Sequence, residues 1–379
     1  MNLIMRALFD HQIFWIQRYG GISRYYVELI ERLRCYPEVD PHISIWYSCN
    51  SHLRASSLIS AGVGSYDPWT YGLVQVAKRL TGRDHTGRYY EKYTIKALKQ
   101  GKYDLFHPTY YMPYFLEHLG GRPFVVTVHD MIHELFPQMF KKDDHTSEWK
   151  KTLIDRADRL IAISDSTKND LVRICGVAPS NVEVVHLASS LYPDQSAPRP
   201  DWLPPRYVLF VGNRGSYKNF ELFARSMATV MCEDSDIRLV CGGGGSLNEA
   251  EQRLLKELGI NERTIQIKFD DPLLICFYRN AEAFVFPSLY EGFGIPILEA
   301  FTCGCPLLCS NTSSFPEVVG DAGVMFDPYD RDAMAESILN VLSDADLRQR
   351  MSDRGLARAR RFNWDRTAQR TREVYERVL

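Results

Sequence analysis

Phe284 to Pro306 reads FVFPSLYEGFGIPILEAFTCGCP, and in it a strand, a turn and a helix follow one another. The apolar run Phe284–Phe286 stops at Pro287, the pattern of a buried strand end. Pro296, two positions past Gly294, suits the first turn of a helix, where a missing N–H removes no internal bond. That helix runs to about Cys303, before Gly304, and Pro306–Cys309 opens a further strand. Two apolar strands joined by a helix are the repeating unit of a parallel sheet. Glu291 and Glu299 stand eight positions apart in the same stretch. Carboxylates are costly to desolvate, so these two need partners.

The same rhythm extends in both directions. Towards the C-terminal half, strands are expected at Tyr207–Val211, Ile237–Cys241, Ile265–Phe269 and Ala283–Phe286, with helices over Leu247–Leu258 and Asp332–Leu342. The first half repeats it. Strands are expected at Leu3–Phe9, His42–Tyr47, Leu105–His107, Phe124–His129, Leu160–Ser164 and Val182–His186, and helices over Ile22–Arg34 and Ser166–Ile174. Between them, the run LYPDQSAPRPDWLPP is proline-rich enough to act as a stiff connection. The expected organisation is an α/β chain: residues 1–190, a linker 191–205, and residues 206–362 as a second parallel-sheet domain. Two such domains would face a central cleft, with the C-terminal strand ends directed at it.

Bulk properties exclude several classes. A formal net charge of −2 gives no global field for nucleic acid. Nine cysteines without regular spacing argue against a disulfide framework and for a reducing compartment. No apolar run approaches the ~18 residues that a membrane span needs, and the N-terminus lacks the pattern of a cleaved leader. The expectation is a cytoplasmic protein.

The turn after Tyr290 supplies the chemistry. Gly292 and Gly294 permit tight backbone geometry, and the amides of the turn and the start of the helix favour a phosphate in front of them. Ionised carboxylates accept hydrogen bonds, and vicinal hydroxyls donate them. A ligand with hydroxyls on both sides of a phosphate group is a nucleotide sugar, Glu299 taking the ribose and Glu291 the transferred sugar. Upstream, VLFVGNRGSYKNF places Arg214 and Lys218 just past a strand, suited to an anionic diphosphate and to the charge that grows on the leaving oxygen. These cations make a divalent metal unnecessary, and no metal or cofactor is expected. Asp234-Ser235-Asp236 and Asp344-Ala345-Asp346 read as chance D-x-D pairs, and His129 and His133 lack the order of a zinc motif.

E-G-F-G-x-P-x-x-E-A, with V-G-N-R…K-N before it, resembles the family 4 glycosyltransferases of GT-B fold, which have two Rossmann-like domains and retain anomeric configuration. Gly20-Gly21-Ile22-Ser23-Arg24-Tyr25 is similar to the family's glycine loop and helix. Thr127-Val128-His129-Asp130 is similar to its N-domain strand end, and Phe362-Asn363-Trp364 to the start of its last helix. The resemblance implies that Arg214, Lys218, Glu291 and Glu299 hold the donor, and that the amides of Gly292, Phe293, Gly294 and Ile295 contact sugar or phosphate. It further implies that Gly20 and Gly21 border donor phosphate and acceptor, that His129 lies near the reacting carbon, and that residues 363–379 cross back onto the first domain. Relatives often carry a glycine after the strand that corresponds to Ile265–Phe269; here the text is IKFDDPLL, so the base is not implied.

The expected reaction moves a sugar from a nucleotide diphosphate to an acceptor hydroxyl by front-side displacement. A GDP-sugar, GDP-mannose first, is favoured over a UDP-sugar, and the acceptor is a lipid-linked oligosaccharide of a bacterial surface polysaccharide. His107, Tyr110 and Tyr111 are candidates for acceptor contact. From Lys78 to Lys102 eight basic residues face only Asp84 and Glu91, with tyrosines interleaved. That segment is either a solvated helix face or a contact with anionic lipid at the inner face of the cytoplasmic membrane. The rival readings are a nucleotide-sugar epimerase or hydrolase on the same scaffold, an NAD-dependent dehydrogenase and a non-catalytic carbohydrate-binding protein. For the dehydrogenase, the run GGGGSLNE lacks the final spaced glycine.

Overall fold

A computed structural model describes residues 4–45, 47–60, 76 and 86–379. The chain forms two units, Met1–His186 with Trp364–Leu379, and Leu187–Asn363. Residues 78–85 of the basic segment lie outside the described residues.

In the first unit the strands are β1 (Met5–Phe9), β2 (Val39–Ile43), β3 (Leu105–His107), β4 (Val125–Val128), β5 (Arg159–Ala162) and β6 (Val182–Val184). They make two parallel arrays, β2-β1-β3 and β4-β5-β6, joined by a parallel bridge between Phe106 and Phe124. β2 was expected at His42–Tyr47 and lies earlier, at VDPHI. Proline cannot donate to a ladder, but β2 pairs only with β1 among the described strands, so Pro41 sits on an edge where no second ladder needs its N–H. The Asp165–Cys175 helix is set by its ends: Ser164 Oγ accepts the Thr167 amide at 2.9 Å, and Gly176 closes it at φ 68°. The Trp364–Glu376 helix packs on the Gly21–Leu33 helix. Its Thr367 Oγ1 donates to the His186 carbonyl at 2.7 Å.

The second unit holds one parallel sheet of β7 (Tyr207–Val211), β8 (Arg238–Gly242), β9 (Thr264–Ile267), β10 (Ala283–Phe286), β11 (Leu307–Ser310) and β12 (Val324–Phe326). Its order is β12-β11-β10-β7-β8-β9. β7 and β10 are buried along their whole length, as near-continuous apolar runs must be when helices cover both faces. The Phe220–Glu233 and Arg331–Ser343 helices pack together on one face, closing a core that includes Phe210, Phe223, Met227 and Ile338. The segment 191–205 groups with this unit rather than standing apart. The Ala197 amide donates to the Pro272 carbonyl at 2.9 Å, and Arg279 reaches the Pro193 carbonyl at 3.1 Å.

The two D-x-D segments are occupied by structure. Asp234 pairs with Arg206 at 3.0 Å, and Asp344 caps the Ala345–Ala359 helix through the Leu347 amide at 2.7 Å.

Candidate active site

The second sheet begins at its centre. β7 lies between β10 and β8, so the chain leaves β7 in one direction and later returns to its other side. At such a switch point the loops following the two central strands separate, and ligands of open parallel sheets bind there. The loop after β7 carries Arg214 and Lys218, and the loop after β10 carries Glu291.

These loops are stitched to each other. The Leu289 amide donates to the Tyr217 carbonyl at 2.7 Å. Asn219, in the left-handed region at φ 58°, donates from Nδ2 to the carbonyls of Pro287 at 3.2 Å and Pro328 at 2.7 Å. Lys218 Nζ and Glu291 Oε1 form an ion pair at 2.5 Å, with both side chains largely buried. The ammonium also lies 5.1 Å from the centre of the Tyr217 ring and 5.4 Å from that of Phe286. The structure therefore brings together the acid and the base that sequence reading placed on either side of one ligand.

The glycine turn is held from behind by Ser313 and Ser314. Ser313 Oγ accepts the Glu291 amide at 3.1 Å. Ser314 Oγ lies 3.0 Å from the Glu291 carbonyl and 2.9 Å from that of Phe293. Gly294 adopts φ 99°, and a Cβ there would stand 3.0 Å from Ile297 Cδ1 and 3.1 Å from Phe315 Cε1. Only glycine fits without strain. The Ile295–Thr302 helix then starts with Pro296 in its first turn, and Glu299 is carried among buried Ile297, Leu298, Ala300 and Phe301. Glu299 is itself buried and accepts from the Tyr278 hydroxyl at 3.3 Å.

Arg214 behaves differently from the expectation. Its guanidinium is turned to the glycine run after β8, donating to the carbonyls of Gly243 at 2.9 Å, Gly245 at 2.9 Å, Ser246 at 3.2 Å and Gly244 at 3.3 Å. Nε lies 3.1 Å from Glu251 Oε2, off the axis of its N–H, and the side chain is 1% exposed. Gly243, Gly244 and Gly245 all have left-handed φ, which three successive L side chains would not tolerate. A Cβ on Gly244 would meet the Gly212 carbonyl at 2.6 Å. The physical reason is local: the carbonyls of a left-handed run converge on one point, and a five-donor fork satisfies them together. Sequence reading missed Glu251, although Asn248 and Glu251 spell a capping box that the structure forms. Phe269, in the IKFDDPLL departure, packs against Gly242 and Gly243.

In the first unit, His129 follows β4 and is buried, with Nε2 lacking a hydrogen-bond partner among the described residues. Burial holds its imidazole well below the ordinary value, at about 4. Tyr25 and Tyr26 meet it edge-on, 5.5 and 5.9 Å between ring centres. Gly20 precedes the Gly21–Leu33 helix, and a Cβ on it would stand 2.5 Å from Gln17 Oε1, the atom that accepts the Ser23 amide. Gly21 is exposed at the first helical position.

His107 and Tyr111 are not displayed as the acceptor reading expected. His107 is fully buried, with Nδ1 2.6 Å from the Tyr375 hydroxyl and Nε2 2.9 Å from Thr127 Oγ1. Desolvation, helped by nearby His129, lowers its pKa to about 3. Tyr111 is buried, its hydroxyl accepting the His129 amide at 2.9 Å. Tyr110 is half-buried against it, 4.6 Å between ring centres. Sequence reading also missed Asp10, which is fully buried after β1 and accepts from the Thr109 amide, Thr109 Oγ1, Gln12 Nε2 and the Tyr114 hydroxyl at 2.7–2.9 Å.

Comparison with known proteins settles the lineage. Residues 197–358 match the model described as glycosyl transferases group 1, and residues 60–188 match glycosyltransferase family 4. O-antigen chain mannosyltransferase B of Escherichia coli is 32% identical over 297 residues, covering 74% of this chain and 76% of that one. The chain belongs to the family 4 glycosyltransferases. D-inositol 3-phosphate glycosyltransferase of Thermobispora bispora is 29% identical over 76% of this chain and 73% of its own. Among solved structures, sucrose-phosphate synthase from Thermosynechococcus elongatus superposes with a TM-score of 0.72 at 19% identity, covering 98% of both chains. HepE from Anabaena, solved with UDP and glucose, gives 0.72 at 15% identity, covering 98% of this chain and 99% of that one. The fold of this glycosyltransferase is GT-B, with two parallel-sheet units flanked by helices.

Proposed function

We propose that this glycosyltransferase moves mannose from GDP-mannose to a hydroxyl of a lipid-linked glycan, with retention at the anomeric carbon. The observation that carries the reading is the Lys218–Glu291 pair at the switch point, beside a glycine turn whose backbone amides open a helix. In this account the diphosphate draws Lys218 away from Glu291, and the freed carboxylate accepts hydroxyls of the sugar. Glu299 takes the ribose, and the amides of Gly292, Phe293, Gly294 and Ile295 take phosphate or sugar oxygens. Arg214 acts by holding the glycine loop after β8 and by its positive charge beneath it. His129 is assigned to the donor sugar near its reacting carbon, and Gly20 and Gly21 to donor phosphate and acceptor.

As the sugar–phosphate bond breaks, its electron pair stays on the leaving diphosphate, where fixed cations stabilise it. The acceptor oxygen bonds to the anomeric carbon on the same face and gives its proton to the leaving phosphate. These steps need neither a metal nor a cofactor. Mannose and a surface polysaccharide are favoured by the 32% identity to O-antigen chain mannosyltransferase B.

Lipid linkage is supported by the Thr86–Gln100 helix, where Lys92, Lys96 and Lys99 line a surface groove and Tyr89 and Tyr93 are exposed. An anionic leaflet attracts such a face at roughly 1 kcal/mol per basic residue. No helix among the described residues is long and apolar enough to cross a membrane, so contact at the inner face of the cytoplasmic membrane would be peripheral. A thermal-shift panel of GDP-, UDP- and dTDP-sugars tests the donor, and stabilisation by none of them would sink the reading. Flotation with anionic vesicles tests the lipid contact, which should be lost when Lys92 and Lys96 are reversed to glutamate.

A further inference from the structure

Lys150, in the Thr146–Ile154 helix, is fully buried. A lysine ammonium is strongly hydrated and almost never goes inside unless paired. Here Nζ donates to the backbone carbonyl of Asp130 at 2.9 Å and to Glu134 Oε2 at 2.9 Å, with Asp130 Oδ1 at 3.8 Å. The ammonium also lies 5.2 Å from the centre of the Tyr111 ring, whose hydroxyl accepts the backbone N–H of His129 at 2.9 Å. One cation and one phenol thus hold both peptide edges of the His129–Asp130 pair where it leaves β4.

Filling space does not explain this. A methionine has similar length and would pack there without dehydrating an ammonium, and apolar replacements of buried ion pairs are often neutral or stabilising. What an apolar side chain would lose is direction: the carbonyl of Asp130 and the amide of His129 would no longer be fixed by bonds. We propose that Lys150 is a positioning residue, aiming His129 through the Asp130 carbonyl and the Tyr111 hydroxyl without touching substrate. The inference rests on the role proposed above for His129.

Three variants test it: Lys150→Met, the double variant Lys150→Met/Glu134→Gln, and Tyr111→Phe. Lys150→Met strands the Glu134 carboxylate and is expected to be poorly stable. The double variant removes both charges and should recover thermal stability, yet a displaced His129 should lower kcat about 10–100-fold. Its donor KM should stay within about threefold of the parent, as expected when only transition-state contacts are lost. Tyr111→Phe keeps the ring beneath the ammonium and removes only the acceptor for the His129 amide, so kcat should fall in the same direction.

A second readout needs no substrate. The groups facing His129 are Asp130, Lys150, His107 and the phenols of Tyr25, Tyr26 and Tyr111. Lys150 is one of those that disfavour its protonated form. In the double variant the NMR titration of the His129 ring should therefore move to higher pH. A double variant with parental kcat and an unmoved His129 titration overturns the proposal. So does a Tyr111→Phe variant that raises only the acceptor KM, which would make Tyr111 a direct acceptor contact. Absence of turnover in the parent with every nucleotide sugar would defeat the proposed reaction, while the His129 titration would still decide whether Lys150 governs that histidine.

Discussion

Removing one hydroxyl from the last helix should cost a measurable part of the first unit's stability. Tyr375 and His107 are both fully buried, and their 2.6 Å contact continues through His107 Nε2 to Thr127 Oγ1 at 2.9 Å and on to the Tyr25 hydroxyl at 3.2 Å. A neutral imidazole has one donor and one acceptor nitrogen, so each partner satisfies one of them. Tyr375→Phe keeps the ring and leaves Nδ1 without a partner where water does not reach, at a cost of about 1–3 kcal/mol. For a unit of roughly 200 residues, each kcal/mol moves Tm by about 2–4 °C, so a fall of about 2–12 °C is expected. Differential scanning calorimetry reads it directly. The double variant Tyr375→Phe/His107→Leu should recover part of the loss, because no polar atom is then stranded. A Tyr375→Phe variant that melts with the parent, or a double variant that simply sums two losses, would refute the reasoning.

Two further outcomes follow from the geometry. Gly294→Ala should destabilise the second unit by about 1–3 kcal/mol, since the residue sits at φ 99° with side chains already at the Cβ position; a thermal melt checks it, and nucleotide-sugar binding should weaken alongside. Acid should weaken the first unit below neutrality. His107 and His129 are held near 3 and 4 by burial, against about 6.5 unfolded. The unfolded chain therefore binds more protons in that window, and stability is full above about pH 6.5 and lost as pH falls through it. The slope approaches about 1.4 kcal/mol per pH unit for each histidine, readable from urea midpoints between about pH 7 and pH 5.

Much of the scaffold was legible because parallel strands buried on both faces are nearly continuous apolar runs: β3, β7 and β10 fall at their expected residues. β2 was misplaced because Pro41 reads as a breaker, and only topology reveals that it lies on an edge. β12 was missed because Val324–Phe326 is too short to stand out between Gly323 and Asp327. Lys218 and Glu291 were readable as neighbours at one site because each follows a strand that the pattern identified, but their ion pair was not, since each had been assigned to a different part of a ligand. Arg214 was legible as a cation but not in its orientation, since nothing local announces that the GGGG carbonyls would converge on it. His107 showed the same limit. A histidine at a strand end looks exposed until the last helix, 268 positions away, supplies Tyr375. Lys150 gave no signal, because a lysine within a polar helix reads as a solvated face.

The most direct measurement is calorimetric titration of GDP, UDP and their sugar conjugates into the parent, Lys218→Met, Glu291→Gln and Glu299→Ala. Lys218→Met should lose about tenfold or more in affinity for any diphosphate, as about 1.5–3 kcal/mol for a charge-assisted bond implies. Glu299→Ala should lose affinity for nucleotide whether or not sugar is attached. Glu291→Gln should keep its affinity for the bare nucleoside diphosphate and lose the parent's preference for the sugar form. Unchanged affinities and an unchanged preference in all three variants would contradict the account.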